Sequence, residues 1–193
     1  VEADETYIGG RERNKHAKKR LRAGRGTVGK TAVVGVLDRP TNTVRLDVVE
    51  KTDSETLQGF VEGNTAETAT VYTDEARAYI GLDRAHETVN HSAGEFVRGE
   101  AHTQGMDSLW ATIKRAKKGM YHKLSPKHMR HYMAQFAGKH NFRDDDTLAQ
   151  MASIVAGMAG QRLMYRDLIA DNGLPSGART KAGTVAIADW IPF

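Results

Sequence analysis

Cysteine is absent from the 193-residue chain. That excludes a disulfide framework, a cysteine nucleophile and a thiolate zinc site. Long apolar runs are missing too. The longest, Thr31–Leu37 and Met151–Gly160, fall far short of a membrane span. No charged start followed by an apolar stretch marks a signal peptide, and there is no internal repeat or low-complexity tract. The composition is not that of a disordered chain either, with 27% charged and 39% hydrophobic residues. A soluble, cytoplasmic protein without a membrane partner is expected. The sequence opens without Met, directly in a strand-like run, so it is expected to be a segment of a longer polypeptide.

What is present is charge in two dense blocks. Residues 11–30 hold nine Lys/Arg against one acid, Glu12, and residues 114–143 hold nine Lys/Arg and no acid. The whole chain is only +4, so the rest of it is strongly acidic. Two concentrated positive zones on an acidic body predict a polyanionic partner, with nucleic acid favoured over two merely solvated basic faces. The residues expected to contact it are Lys18, Lys19, Arg20, Arg22, Arg25 and Lys30 in the first block. In the second they are Lys114, Arg115, Lys117, Lys118 and Lys123.

Periodicity orders the elements. Val1–Ile8 alternates, with Glu2, Asp4 and Thr6 on one side and Val1, Ala3 and Tyr7 on the other, which predicts a strand. Residues 9–30 are basic and Gly-rich without apolar period, and read as a long loop or arm. Thr31–Asp38 is a β-branched run, Arg39–Asn42 is turn chemistry, and Val44, Leu46 and Val48 alternate as the second strand of a hairpin. Thr52-x-x-Glu55 reads as a capping box ahead of a helix carrying Leu57, Phe60 and Val61. Thr70–Thr73 is a short strand ending at Asp74, and His86–His91 a further strand. Met106, Leu109, Trp110 and Ile113 recur at helical spacing from about Gly105 to Lys118. Ser125–Pro126 opens the next helix, which runs through Met129, Phe136 and His140. Two more helices are expected over Asp146–Gly157 and Arg162–Ala170. This order predicts an α/β fold, a mixed five-stranded sheet flanked by helices with ribonuclease-H-like architecture.

One motif is misleading. Gly24–Thr31 satisfies the phosphate-loop pattern G-x-x-x-x-G-K-S/T, which works only between a buried strand and a helix N-terminus. Here a basic run precedes it and a strand follows, so a nucleoside-triphosphate site is not expected.

Three spaced carboxylates are more informative. Asp4 lies inside an otherwise apolar or small-residue strand, Asp74 ends another, and Asp107 starts an amphipathic helix. Lys114, two turns beyond Asp107, shares its face. Phosphoryl transfer on DNA needs charge neutralised at the attacking and leaving oxygens, and two Mg²⁺ ions held by carboxylates do both. Singly, each Asp has an ordinary reading as an edge-strand charge, a helix cap or a surface acid. His128 and His131 lack a third metal ligand, and His102 reads as a structural hydrogen-bonding residue. Trp110, Tyr132 and Phe136 lie on apolar stripes and read as core.

Several blocks, in order, resemble one family. Val1–Gly10, Gly26–Thr31, Val71–Glu75, His86–Ser92, Phe96–Gly99, His102–Trp110 with Lys114-Arg115, Gly119–Lys123, and Phe136-Ala137-x-x-His140-Asn141 are similar to the catalytic domain of the ISXO2-like group of bacterial insertion-sequence DDE transposases. The resemblance implies that Asp4, Asp74 and Asp107 are an acidic triad for two Mg²⁺ (or Mn²⁺) ions, with Lys114 as the associated basic residue. It implies cleavage of transposon ends and strand transfer into target DNA, with double-stranded DNA as partner. It also implies at least a homodimer on DNA, in the bacterial cytoplasm or nucleoid. Residues 1–170 would be the catalytic domain, with the basic loop 9–30 inserted after its first strand, and residues 171–193 a C-terminal tail. An upstream zinc-ribbon region is implied as well. The sequence departs from the family at Asp107, usually Glu, and at Gln104, usually Asn. Asp is one methylene shorter, which sets its oxygens back by about 1.5 Å. An inactive DNA-binding module and a simple metal-dependent nuclease remain the alternatives.

Overall fold

The computed structural model describes residues 1–21, 26–89, 102–170 and 172–174. Strands β1 (Glu2–Ile8), β2 (Thr31–Asp38), β3 (Thr43–Val49), β4 (Thr70–Asp74) and β5 (Ala85–Val89) form one sheet in the order β3-β2-β1-β4-β5. β1, β2 and β3 make an antiparallel meander, while β4 runs parallel to β1 and β5 parallel to β4. Helices cover both faces, and the fold is the ribonuclease-H-like α/β arrangement expected from the order of elements. Buried on both faces, β2 reads as a nearly continuous apolar run.

The two faces have separate cores. On one, α1 (Ser54–Asn64) sets Leu57 and Val61 against Ala3, Val34, Val36 and Val71. On the other, α2 (Gln104–Ala116) and α3 (Met129–Asn141) set Met106, Trp110, Ile113 and Met133 against Ile8, Val33 and Leu37. Each large apolar side chain fully withdrawn from water contributes about 1.5–3 kcal/mol. Asn141 then clamps the outer edge of β3: Val44 N–H donates to its side-chain oxygen at 2.8 Å and its amide donates to Val44 O at 3.0 Å. This occupies the outward donor and acceptor of Val44, at one position on the β3 edge of the sheet.

Several expectations shift in detail. The Thr52–Glu55 capping box does not form. Asp53 caps α1, accepting from Thr56 N–H at 3.0 Å, because the Thr52 hydroxyl is engaged with Tyr7 OH at 3.0 Å. α2 ends at Ala116 and continues as a single π turn, Lys117–Tyr121. Pro126 starts a 3₁₀ turn before α3, and the Ser125 side chain makes no cap bond. α4 (Thr147–Met158) is capped by Asp146, whereas Arg162–Ala170 is helical only over α5 (Tyr165–Ile169). β5 ends at Val89, so the part of the expected strand that reaches His91 lies outside the described residues, as does the tail beyond residue 174.

Candidate active site

The site grows from the α2-facing side of β1, where Glu2, Asp4 and Thr6 point. Gly35 sits opposite Asp4 in the β1–β2 register. A Cβ there would lie 2.6 Å from Met106 Cε and 3.1 Å from the Trp110 ring. The missing side chain is what lets α2 approach the strands closely. Trp110 fills that space, and its indole N–H donates to Asp4 Oδ2 at 2.9 Å.

One turn earlier, β1 caps the helix. The side chain of Thr103, the N-cap residue of α2, does not cap the helix. Glu2 does instead: its Oε2 accepts from Met106 N–H at 3.0 Å, satisfying one of the open donors of the first turn. Its Oε1 accepts from Arg39 Nε at 2.9 Å and lies 3.2 Å from His102 Nδ1. Arg39 also donates to His102 O at 2.6 Å and stacks 4.1 Å above the Tyr72 ring. Glu2 is 1% exposed, so its charge is buried but compensated by a cation and a helix N-terminus. Gly105 makes room for it, since a Cβ there would be 2.9 Å from Glu2 Oε2.

Asp74 comes in from the neighbouring strand. Glu2 pairs with Tyr72 in the parallel β1–β4 ladder, and two residues further along each strand stand Asp4 and Asp74. Asp74 Oδ1 accepts from Ala76 N–H at 2.9 Å, fixing the turn that leaves β4. Burial pushes the Asp4 carboxyl up to about 7, and the negative charges of Asp74, Glu5 and Asp107 add to that. Glu5, on the opposite face of β1, is also raised by burial and accepts from Tyr79 OH at 2.8 Å.

Asp107 is the outlying member. It sits on the exposed flank of α2, and Lys114, two turns on, is exposed on that same flank. The charge of Asp107 reaches Asp4, yet among the described residues no three His, Asp or Glu side chains are gathered closely enough to share one metal ion. The donors present are hard oxygens of the kind Mg²⁺ and Mn²⁺ take. The repulsion that raises Asp4 is the repulsion a divalent cation relieves. In chemistry the set fits such an ion, with the two strand carboxylates nearest to doing so.

The two basic blocks meet at one end of this site. Lys117 Nζ donates to Gly9 O, joining the end of α2 to the start of loop 9–30. Burial lowers the proton affinity of Lys117, and the nearby Lys30 lowers it further. The loop itself is built around its single acid. Glu12 pairs with Lys15 at 2.6 Å and accepts from Leu21 N–H, and Arg20 donates to Arg13 O at 2.8 Å and Lys15 O at 2.9 Å. Lys18, Arg20, Lys114, Arg115, Lys118 and Lys123 are exposed. Arg22, Arg25 and the Lys19 side chain lie outside the described residues. Lys30 leads into β2, a strand and not a helix, so the amides a phosphate loop needs are not there.

The sequence profile of the ISXO2-like transposase domain matches residues 1–141. The chain belongs to that family. A protein of Halobacterium salinarum, named as an uncharacterized protein in transposable element ISH50, is 32% identical over 127 residues. The match takes in 60% of this chain and 43% of that relative, so the chain spans less than half the relative's length. As an ISXO2-like transposase domain, the chain is placed among proteins of mobile DNA elements. The matched region holds Asp4, Asp74, Asp107 and Lys114.

Sequence reasoning missed Glu2, Arg39 and the roles of Gly35 and Gly105. An isolated Gly inside the apolar run of β2 was the available signal of a close approach. Nothing local marks Glu2 as the cap of a helix 104 positions away.

Proposed function

We propose that the chain is the catalytic part of a transposase that cuts DNA at transposon ends and joins them to target DNA. Residues 1–170 form the catalytic domain and 171–193 a tail. Asp4, Asp74 and Asp107 would hold two Mg²⁺ or Mn²⁺ ions, which supply charge neutralisation at the attacking and departing oxygens of an in-line displacement. Trp110 fixes the orientation of Asp4. Glu2 and Arg39 hold the start of α2, and with it Asp107, against β1. Lys114 would meet a DNA phosphate as a point charge, and Lys118, Arg115, Lys123 and the loop 9–30 would extend that contact along the backbone.

The observation that carries this reading is the placement of Asp4 and Asp74 on neighbouring parallel strands, each two residues beyond the Glu2–Tyr72 pair, with Asp4 raised first by burial and then by the charges of Asp74, Glu5 and Asp107. The test is Mg²⁺- or Mn²⁺-dependent cleavage and joining of duplexes that carry the ends of the element encoding this chain. Wild type should cut and join, and Asp4→Ala, Asp74→Ala and Asp107→Ala should each lose both activities while still binding DNA. Cutting without joining would reduce the proposal to a simple nuclease.

One observation favours a second reading, an inactive ribonuclease-H-like DNA-binding module. Asp107 is the shorter acid and stands on an exposed helix flank. Binding by all four proteins with no cleavage under either metal would establish that reading, and cleavage restored by Asp107→Glu would locate the defect in the missing methylene.

A further inference from the structure

Helix α4 carries an apolar stripe that none of the described residues covers. Leu148, Met151, Val155 and Met158 recur at helical spacing, and each exposes more than half of its surface, as does Ile154. None of the twelve residues of α4 is charged, and none is buried. Monomeric proteins seldom leave an apolar strip of this kind in water.

The same chain holds a groove that matches it. A cavity of about 600 Å³ runs between α2 and α3. Leu37, Leu109 and Phe136 line it, and Ser108, Thr112 and Ala116, on successive turns of α2, form a wall of short side chains. Lys139, His140 and Arg143 stand at one end, with Met120 and Tyr121 near the other. From Gly105 to Ala116 the wall is about 17 Å long, and α4 is about 18 Å. The polarity agrees as well. Asp144, Asp145 and Asp146 immediately precede α4; Asp144 pairs with Arg143 of its own chain at 3.4 Å, which leaves Lys139 as the cation to meet an incoming helix, and a helix laid with its acids at that end brings Val155 and Met158 toward Met120 and Tyr121.

The connection from α3 to α4 does not deliver the helix to its own groove. Phe142 N–H bonds to Gly138 O at 3.0 Å, Asp145 N–H bonds to Phe142 O at 3.1 Å, and Arg143 donates to Asn42 O at 3.2 Å. The turn held by these bonds leaves α4 uncovered among the described residues. We propose that the groove between α2 and α3 receives α4 of a second copy of the chain, in a reciprocal exchange that closes as a two-fold dimer. Two apolar helices, each seated in a groove, bury surface in the range of a specific interface, roughly 1,200–2,000 Å² in total. On α2 the groove residues occupy the flank opposite Asp107 and Lys114, so the exchange leaves the candidate active site open. The inference does not depend on the chemistry proposed for that site.

Light scattering on the size-fractionated chain, at tens of micromolar, tests this. Wild type is expected to be a dimer. Met151→Glu/Val155→Glu, which makes the apolar face of α4 charged, and Thr112→Arg, which blocks the groove, are each expected to be monomers with unchanged far-ultraviolet circular dichroism. An equal mixture of the two variants should regain dimers, since one intact helix then meets one intact groove. The absence of native cysteine permits a second measurement. Thr112→Cys and Val155→Cys proteins, mixed and mildly oxidised, should cross-link between chains. A monomeric wild type would overturn the proposal. So would a Thr112→Arg protein that stays dimeric, which would mean that the apolar stripes pair with each other. A double-cysteine chain that cross-links only within itself would show α4 folded onto its own groove and would overturn it too.

Discussion

Trp110 and Asp4 are 106 positions apart in sequence and joined by one hydrogen bond, indole N–H to Oδ2 at 2.9 Å. The residue that anchors α2 in the core therefore also orients the carboxylate at the centre of the sheet. Gly35, opposite Asp4, is the third party, because a Cβ there would lie 2.6 Å from Met106 Cε, 2.7 Å from Leu46 Cδ2 and 3.1 Å from the indole. Core packing and site geometry are a single arrangement here.

Trp110→Phe separates the two roles. Phenylalanine keeps most of the ring packing but removes the donor, leaving a largely buried carboxylate oxygen without it. The expected cost is about 1–3 kcal/mol of stability, read as a lower denaturant midpoint with an unchanged slope. Loss of a donor to the charged form also raises the proton affinity of Asp4, so divalent-dependent cleavage should shift to higher pH. A variant with wild-type midpoint and wild-type pH profile would remove Trp110 from the site.

Asp4 itself should make the metal-free fold less stable as pH rises. Its folded pKa of about 7 lies above the unfolded value near 4. The folded state thus holds the extra proton between those values. Its stabilising effect is whole below about pH 4, declines as pH rises toward 7, and is gone above it. Asp4→Asn removes the penalty, so in the presence of a chelator it should raise stability near pH 8 by on the order of 2–4 kcal/mol. Near pH 4 it should change little. Mn²⁺ should stabilise wild type at the higher pH and not the variant, by mass action. Thermal unfolding at the two pH values, with and without Mn²⁺, decides it, and equal effects at both would contradict the assignment.

Gly105 and Gly138 make a matched pair. A Cβ at Gly105 meets Glu2 Oε2 at 2.9 Å and Leu37 Cδ1 at 3.1 Å, while one at Gly138 meets nothing within 4 Å. Gly105→Ala should displace Glu2 from the start of α2 and cost about 1–3 kcal/mol. Cleavage should fall further than stability alone accounts for, since Asp107 moves with the helix. Gly138→Ala, inside α3, should be neutral or stabilising by up to about 1 kcal/mol. Equal behaviour of the two variants would mean that Glu2 does not set the position of α2.

These relationships mark the boundary of what sequence carries. The strands around Asp4 and Asp74 and the stripe of Met106, Leu109, Trp110 and Ile113 follow from period alone, because burial of one face imposes it. Asp4 and Asp74 stand out in the sequence because carboxylates within or ending short apolar strands are conspicuous. Glu2 does not, because it alternates with Ala3 like any edge-strand acid, and its partners Arg39 and Met106 are distant in sequence. Thr52 was assigned the cap that Asp53 holds, since both fit the local rule and only the bond between Thr52 and Tyr7 separates them. In the basic loop Glu12 is visible as the one acid, but nothing local marks it as the residue that pairs with Lys15 and accepts from Leu21 N–H.

The basic zones yield a last pair of variants, Lys117→Ala and Lys118→Ala. Lys118 is exposed, whereas Lys117 is half-buried and donates to Gly9 O. If Lys118 meets a phosphate, its removal should weaken binding about equally on all duplexes and reduce the salt slope by about one. The melting temperature should not change. Lys117→Ala should weaken binding and also lower the melting temperature, because the strap between α2 and loop 9–30 is cut and Gly9 O loses its donor. Fluorescence anisotropy on a short duplex across a salt series, beside thermal unfolding, tells the two apart. Affinity that is indifferent to salt in wild type would argue that the converged cations serve the fold and not DNA.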